Sequence, residues 1–433
     1  MHSEGKRALN LFDLSCIGIN AIVGSGVFLF PGLLVGFLGP ASIIAFGLTG
    51  LLLISVGLCY AEASSHFQQT GGSYLYACEA FGPGVGYGIG WMSWITQIFS
   101  GAAVANGIAA YLGHFNPAFG GIWAAKIVAI CVLSALYAIN YRGVKLGAWT
   151  SDFFTAAKLI PLGFFVLLGL PHITAAFYHP FAPHGWKPLG EACFLAYFAF
   201  QGFESVPVPA GETRNPEKNI PLAIIISLSL AALLYMAVQA TAVGLTTNLA
   251  GSTKPLADAA SAGLGPIWAV VMVLAALVST AGYNAGSAIV TPRYLFSLAE
   301  DGHLPPALAK IHAKFQTPYV AILANAAAVF TLTIFLNFNK LVDFSNVVVC
   351  AQYVSTCAAV PFLRRRRRHM HHVGKGWRLP GGLLIPIAGV ATTLWLGSQG
   401  GVQQIWWSLA ILAFGYLLKA LWPKFVPPQG ETA

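Results

Sequence analysis

Charge is what this sequence has least of. Only 9% of its 433 residues are Asp, Glu, Lys or Arg, against about a quarter in soluble proteins, while 57% are hydrophobic and the mean hydropathy is +0.70. A soluble globular chain is excluded. No hydrophilic stretch can form a domain either, since the longest, near 297–316 and 363–381, are too short to bury a core. No nucleotide-binding motif and no His-Glu-x-x-His pair occurs, which removes ATP-driven chemistry and a metal-dependent membrane enzyme as readings; no cofactor is expected. The seven cysteines, at 16, 59, 78, 131, 193, 350 and 357, show no Cys-x-x-Cys spacing and lie in or beside apolar segments, so they read as packing residues.

Long apolar segments recur, with polar punctuation between them. They predict an all-α polytopic membrane protein of twelve spans, near 11–37, 40–64, 85–112, 121–140, 149–170, 188–211, 219–245, 266–296, 317–336, 342–362, 382–398 and 403–422. The first span follows Lys6 and Arg7 without a small-residue cleavage site, so it reads as a retained helix. Between the second and third, residues 65–83 are amphipathic and predict a short interfacial helix that forms part of an inner gate.

Assigning the loops alternately puts Lys6, Arg7, Arg142, Lys145, Arg214, Lys218, Arg293, Lys310, Lys314, Arg364 to Arg368, Lys375, Arg378, Lys419 and Lys424 on one side. Only Lys126, Lys187, Lys254 and Lys340 fall opposite. The positive-inside rule then makes both termini cytoplasmic. The formal charge of +9 is thereby a topology signal, and no nucleic-acid partner is called for. The Arg364–Arg368 run reads as an orientation anchor, with lipid headgroups as its alternative ligand. His369, His371 and His372 lack a nearby acidic or Cys partner and are not read as a metal site.

Two spans are interrupted. In the first, Gly24-Ser25-Gly26 precedes Pro31-Gly32; in the sixth, Gln201, Gly202 and Glu204 stand in an apolar run that ends in Pro207 and Pro209. Irregular backbone in lipid leaves peptide groups unpaired at several kcal/mol each, so it persists where it lines a cavity, meets a ligand or is covered by packed helices. Broken helices five spans apart run in opposite directions, as in an inverted repeat, with residues 11–170 as the first unit and 188–362 as the second. Residues 382–422 add two further helices to this single membrane domain.

These breaks, with other stretches of the chain, resemble the amino acid–polyamine–organocation (APC) superfamily. The likeness rests on Ile22-Val-Gly-Ser-Gly-Val-Phe28 with Pro31-Gly32, on Gly71-Gly72-Ser-Tyr74 and Phe81-Gly82, and on Phe200-Gln-Gly-Phe-Glu-Ser205 with Gly211-Glu-Thr-Arg-Asn-Pro-Glu-Lys-Asn-Ile-Pro221. Arg293-Tyr-Leu-Phe-Ser-Leu-Ala-Glu-Asp-Gly-His-Leu-Pro305, followed by Thr317-Pro318, extends it. The resemblance implies a leucine-transporter-like five-plus-five fold in the cell membrane and a secondary transporter moving an α-amino acid by alternating access, with protons or a second amino acid as the coupled species. A non-transporting amino acid sensor is the other reading of the same fold.

The resemblance also implies roles. Backbone N–H groups of Ser25 and Gly26 meet the substrate carboxylate, and carbonyls of Ile22, Phe198 and Gln201 meet its ammonium. Phe198 and Phe203 flank the second break, one of them as an outer gate or both as packing residues. Thr96, Gln97 and Gly101 align with pocket positions on the third span. Ser287 stands where arginine–agmatine exchangers carry a Trp, which argues for a neutral substrate, and the small residues Gly101 and Ser287 leave room for a bulky one. Lys158 occupies the place of a sodium ion in sodium-coupled relatives, either alternating between charged and neutral forms or acting as a fixed cation. Glu204 either relays protons or latches a neighbouring helix. Glu62, near the end of the second span, reads as a gate or packing residue.

Overall fold

The computed structural model describes residues 9–67, 71–112, 121–143, 148–368, 377–379 and 381–421. The predicted residues Lys6, Arg7, Lys145, His369, His371, His372, Lys375 and Lys424 lie outside them. The described residues form helices: α1 (Leu11–Ile22), α2 (Gly26–Leu38), α3 (Ser42–Ser64), α4 (Gly72–Phe81), α5 (Pro83–Leu112), α6 (Ile122–Tyr141), α7 (Ala148–Gly169), α8 (Leu189–Phe200), α9 (Pro216–Leu245), α10 (Pro255–Leu264), α11 (Pro266–Glu300), α12 (Tyr319–Phe335), α13 (Phe338–Arg368), α14 (Leu384–Ser398) and α15 (Val402–Leu421). Among them seven stretches are long and apolar enough to cross a membrane, and α1, α12 and α14 are shorter apolar helices. The chain is a multi-pass helical membrane protein.

α1 starts where its sequence says it should. Asn10 Oδ1 accepts the Phe12 and Asp13 N–H groups at 2.7 and 3.2 Å, and Asp13 returns a carboxylate oxygen to the Asn10 N–H at 2.9 Å, a reciprocal cap. The helix stops at Ile22, and α2 restarts at Gly26 with Ser25 as its N-cap. α8 stops at Phe200, because Gln201 turns extended and Gly202 takes φ +126°. The predicted sixth segment does not resume as an α-helix. Short 3₁₀ turns, Phe203–Ser205 and Ala210–Glu212, carry the chain onward, since Pro207 and Pro209 each remove a backbone donor. The chain ahead of α1 is tied to the end of this stretch, Leu9 N–H donating to Glu212 O at 3.1 Å and Arg214 N–H to Leu9 O at 2.9 Å.

α4 occupies the stretch read as an interfacial helix, but it buries Tyr76 and Ala77 against the bundle and packs on α5 and α13. α10, between α9 and α11, was not anticipated. Where α3, α4 and α13 meet, Arg364 pairs with Glu62 through two hydrogen bonds, Nε to Oε1 at 2.6 Å and an Nη to Oε2 at 2.7 Å, and the Leu379 N–H adds a third at 3.0 Å. Arg366 bonds Glu79 of α4, and Tyr74 bonds Asp301 after α11. Two members of the arginine run are thus internal ties. Glu62 is 1% exposed, so Glu62→Ala, which leaves Arg364 only the Gly382 carbonyl and the Leu379 N–H no acceptor, should cost roughly 2–3 kcal/mol. A clear fall in the thermal midpoint of purified protein is the expected result, with Arg365→Ala near wild type.

Candidate functional site

The two breaks lie against each other. A Cβ on Gly202 would sit 2.5 Å from the carbonyl carbon and oxygen of Ala21 and 2.8 Å from the Ile22 nitrogen, and one on Gly26 would sit 2.7 Å from the Ala199 Cβ. Only hydrogen in place of a side chain allows this approach. Tyr235 of α9 spans the junction, its hydroxyl 3.0 Å from Ile22 O and 2.9 Å from Ala199 O. One hydroxyl proton cannot fully serve both carbonyls, so acceptor capacity remains there.

Beside the junction is a small cavity lined by Ala21, Ile22, Gly24, Ser25, Gly26, Ser100, Val104, Phe198, Ala199, Gln201 and Tyr283. A water centre has about 10 Å³ to move in, room for about one water. An amino acid enters only if the lining opens. No lining side chain is charged, so an ionic ligand must be met by peptide dipoles and neutral polar groups. At the α2 side, Phe28 and Leu29 N–H groups both turn back to Ser25 O, at 3.1 and 3.0 Å; helix geometry leaves the N–H groups of Ser25, Gly26 and Val27 without a partner inside the helix. Ser25 itself is 1% exposed and its Oγ has no hydrogen-bond partner. A helix start with spare donors attracts an anion.

Gln201 is held from behind. Its amide donates to Asn346 Oδ1 at 2.6 Å and accepts from Ser345 at 2.9 Å, Ser345 contacts Ser100 at 2.7 Å, and Asn346 donates to Phe194 O at 2.5 Å. This string joins α8 to α13 and α5. Phe198, 6% exposed, packs edge-on to Phe30 and Phe338.

Of the residues anticipated as substrate contacts, Ile22, Ser25, Gly26, Phe198 and Gln201 line the cavity, and Phe203, Thr96, Gln97, Gly101 and Ser287 do not. Phe203 is fully buried between Tyr60 and Tyr353, with ring centroids at 5.4 and 5.1 Å. Thr96 donates to Met92 O within its own helix. Gln97 is buried on α5, and Gly101 faces Ser287 and Asn284 of α11. For Thr96 and Ser287 the displacement is one of depth. α5 and α11 are antiparallel, and the lining residues Ser100 and Tyr283 lie one turn along each helix, in the same spatial direction, from the anticipated Thr96 and Ser287. The anticipated carbonyls also differ: Phe198 O accepts the Gln201 N–H at 3.2 Å, while Ala199 O lies beside Ile22 O.

Lys158 and Glu204 stand outside the cavity, one behind each break. The Lys158 ammonium, on α7 and fully buried, donates to Val23 O at 2.6 Å and Asn20 O at 3.2 Å, placing a cation against the carbonyl end of α1. Ser279 of α11 adds a donor to Val23 O and Gly24 O, both at 3.0 Å. The Glu204 carboxylate accepts the Gly202 N–H and the Tyr353 hydroxyl, both at 2.8 Å, so it caps the second break and ties it to α13. Tyr235, Ser279, Ser345 and Asn346 were not singled out by sequence, although each is a polar group in an apolar helix. Among the described residues no cluster of three or more His, Cys, Asp or Glu could hold a metal.

The sequence model of the amino acid permease family matches residues 9–432. Among curated proteins the chain is 27% identical to a methylthioribose transporter of Bacillus subtilis (strain 168), covering 96% of this chain and 94% of the relative. It is 27% identical to the branched-chain amino acid permease BcaP of the same organism (97% and 93%) and 29% identical to the serine/threonine exchanger SteT (85% and 86%). With a match over nearly its whole length, and with the paired helix breaks on which the resemblance rests, this chain belongs to the amino acid permease family of the APC superfamily.

Proposed function

We propose that this protein is a secondary transporter that carries a neutral α-amino acid across the cell membrane by alternating access and couples the movement to protons. The observation that carries the reading is the uncharged cavity between two helix breaks, with spare N–H groups and the unpartnered Ser25 hydroxyl on one side and the Ile22 and Ala199 carbonyls on the other. That pairing suits a zwitterion, its carboxylate toward α2 and its ammonium toward the carbonyls. Twelve spans, as a five-plus-five inverted repeat with two added helices and cytoplasmic termini, are the proposed architecture. Lys158 is the proposed coupling group, with Glu204 a latch that frees α13 when the site opens.

The test is uptake of radiolabelled amino acids into liposomes containing only this protein, under an imposed pH gradient, a sodium gradient or an internal amino acid. Uptake driven by the pH gradient and indifferent to sodium is the expected result. The exchanger among the relatives favours a second reading, obligatory exchange, in which uptake would need internal amino acid. A methylthioribose arm in the same assay separates zwitterion recognition from transport of an uncharged thiosugar. Val104→Phe should depress uptake of large amino acids about tenfold relative to alanine, because it enlarges a side chain that lines the cavity, and tenfold corresponds to about 1.4 kcal/mol. Equal effects on both would remove the bulky-substrate reading.

A further inference from the structure

A second cavity, larger than the one between the breaks, lies elsewhere in the bundle. It holds about 470 Å³, within the range of small-molecule sites, and lies among α5, α11, α12, α15 and the turn after α11, with Trp91, Trp94, Leu295, Leu308, Ala324 and Leu418 in its walls. The two indoles carry the only polar side-chain groups of this lining, and both are spent: Trp94 donates to Asn325 Oδ1 at 2.9 Å and Trp91 to Ile411 O at 3.0 Å. Asn325 in turn donates to the Tyr137 hydroxyl at 2.7 Å, so Trp94 is fixed from behind and turns carbon toward the slot. A ligand here must be hydrocarbon where it enters.

The rim is basic. Lys419, one residue beyond Leu418, sits with its ammonium 4.8 Å from the Tyr87 ring centroid at the α5–α15 edge, and Lys310 is exposed just past Leu308. The turn after α11 forms one wall, which puts the slot where helices give way to polar chain.

We propose that this slot binds an anionic glycerophospholipid, an acyl chain between the tryptophans and Ala324 and the phosphate beside Lys419 and Lys310. Moving an acyl chain from bilayer hydrocarbon to protein hydrocarbon gains little, so the selection falls to the headgroup, with about a fivefold preference for each lysine engaged. Charge at the rim and carbon within match the two halves of such a lipid.

Native mass spectrometry of the full-length protein, delipidated and titrated with phosphatidylglycerol or phosphatidylcholine, tests this. Wild type should retain one phosphatidylglycerol about 25-fold more tightly than phosphatidylcholine, about fivefold for each of the two lysines. Lys419→Gln should erase most of that preference, and Ala324→Phe, which fills the slot, should remove the tight adduct. If Ala324→Phe does not fold, Leu308→Trp fills the same space from the turn. No tight adduct in wild type, equal retention of the two lipids, or an undiminished adduct in the filled variant overturns the proposal.

Discussion

Gly202→Ala should reduce amino acid uptake to less than about a tenth of wild type while leaving the protein in the membrane. Two independent costs fall on that one methyl group. An L-residue held at a glycine-only backbone conformation such as φ +126° is strained by roughly 1–3 kcal/mol. The methyl would also overlap the Ala21 peptide, with its carbon 2.5 Å from both the carbonyl carbon and oxygen, and backbone cannot rotate away as a side chain can. The breaks must part, and Ile22 O, Ala199 O and the start of α2 part with them. A shift costing about 1.4 kcal/mol in substrate binding is already tenfold. Gly36→Ala is the matched control, since an added Cβ there meets nothing within 4 Å and alanine favours a helix. Uptake by Gly202→Ala above half of wild type would show that the close approach is not needed for transport.

Lys158→Arg is expected to stop uptake driven by a pH gradient as completely as Lys158→Ala. The two changes remove different things. Alanine takes away the donor that meets Val23 O and Asn20 O, whereas arginine keeps a permanent charge and cannot give up its proton. If Lys158 acts by gaining and losing a proton, both variants fall by at least about tenfold in pH-driven accumulation. If it is a fixed cation, Lys158→Arg retains it and only Lys158→Ala fails. The measurement is accumulation in liposomes with and without the gradient, with substrate binding in detergent as a separate readout.

Much of the site was legible because breaks in membrane helices are written in a few residue types. Gly24-Ser25-Gly26 and Gln201-Gly202 stand out in apolar surroundings, and a lone lysine in a span at once calls for partners. What sequence could not supply was depth. Thr96, Ser100 and Val104 lie on one stripe of α5, and nothing in the stripe says which turn faces the break; the contact of Gly101 with α11 settles it only in three dimensions. Tyr235 escaped for a related reason: its function lies in two carbonyls 213 and 36 residues away. Pro207 and Pro209 were visible, yet hydropathy outweighed them and the stretch read as helix. α10 is ten residues, four of them alanine, too short and too weakly patterned to register against its neighbours.

The mechanical meaning of the glycine contacts lies in what they forbid. Where backbone touches backbone, as at Gly202 on Ala21 and Gly26 on Ala199, sliding is blocked by hard repulsion, and the Tyr235 hydroxyl pins the same junction from outside. The seam toward α5 and α13 is of another kind, made of the Gln201, Ser345, Asn346 and Tyr353 hydrogen bonds, each of which water can replace. The fault line of the molecule therefore runs along that polar seam. Spin labels on α1 and α8 should hold their separation when substrate is added, while labels on α8 and α13 change theirs.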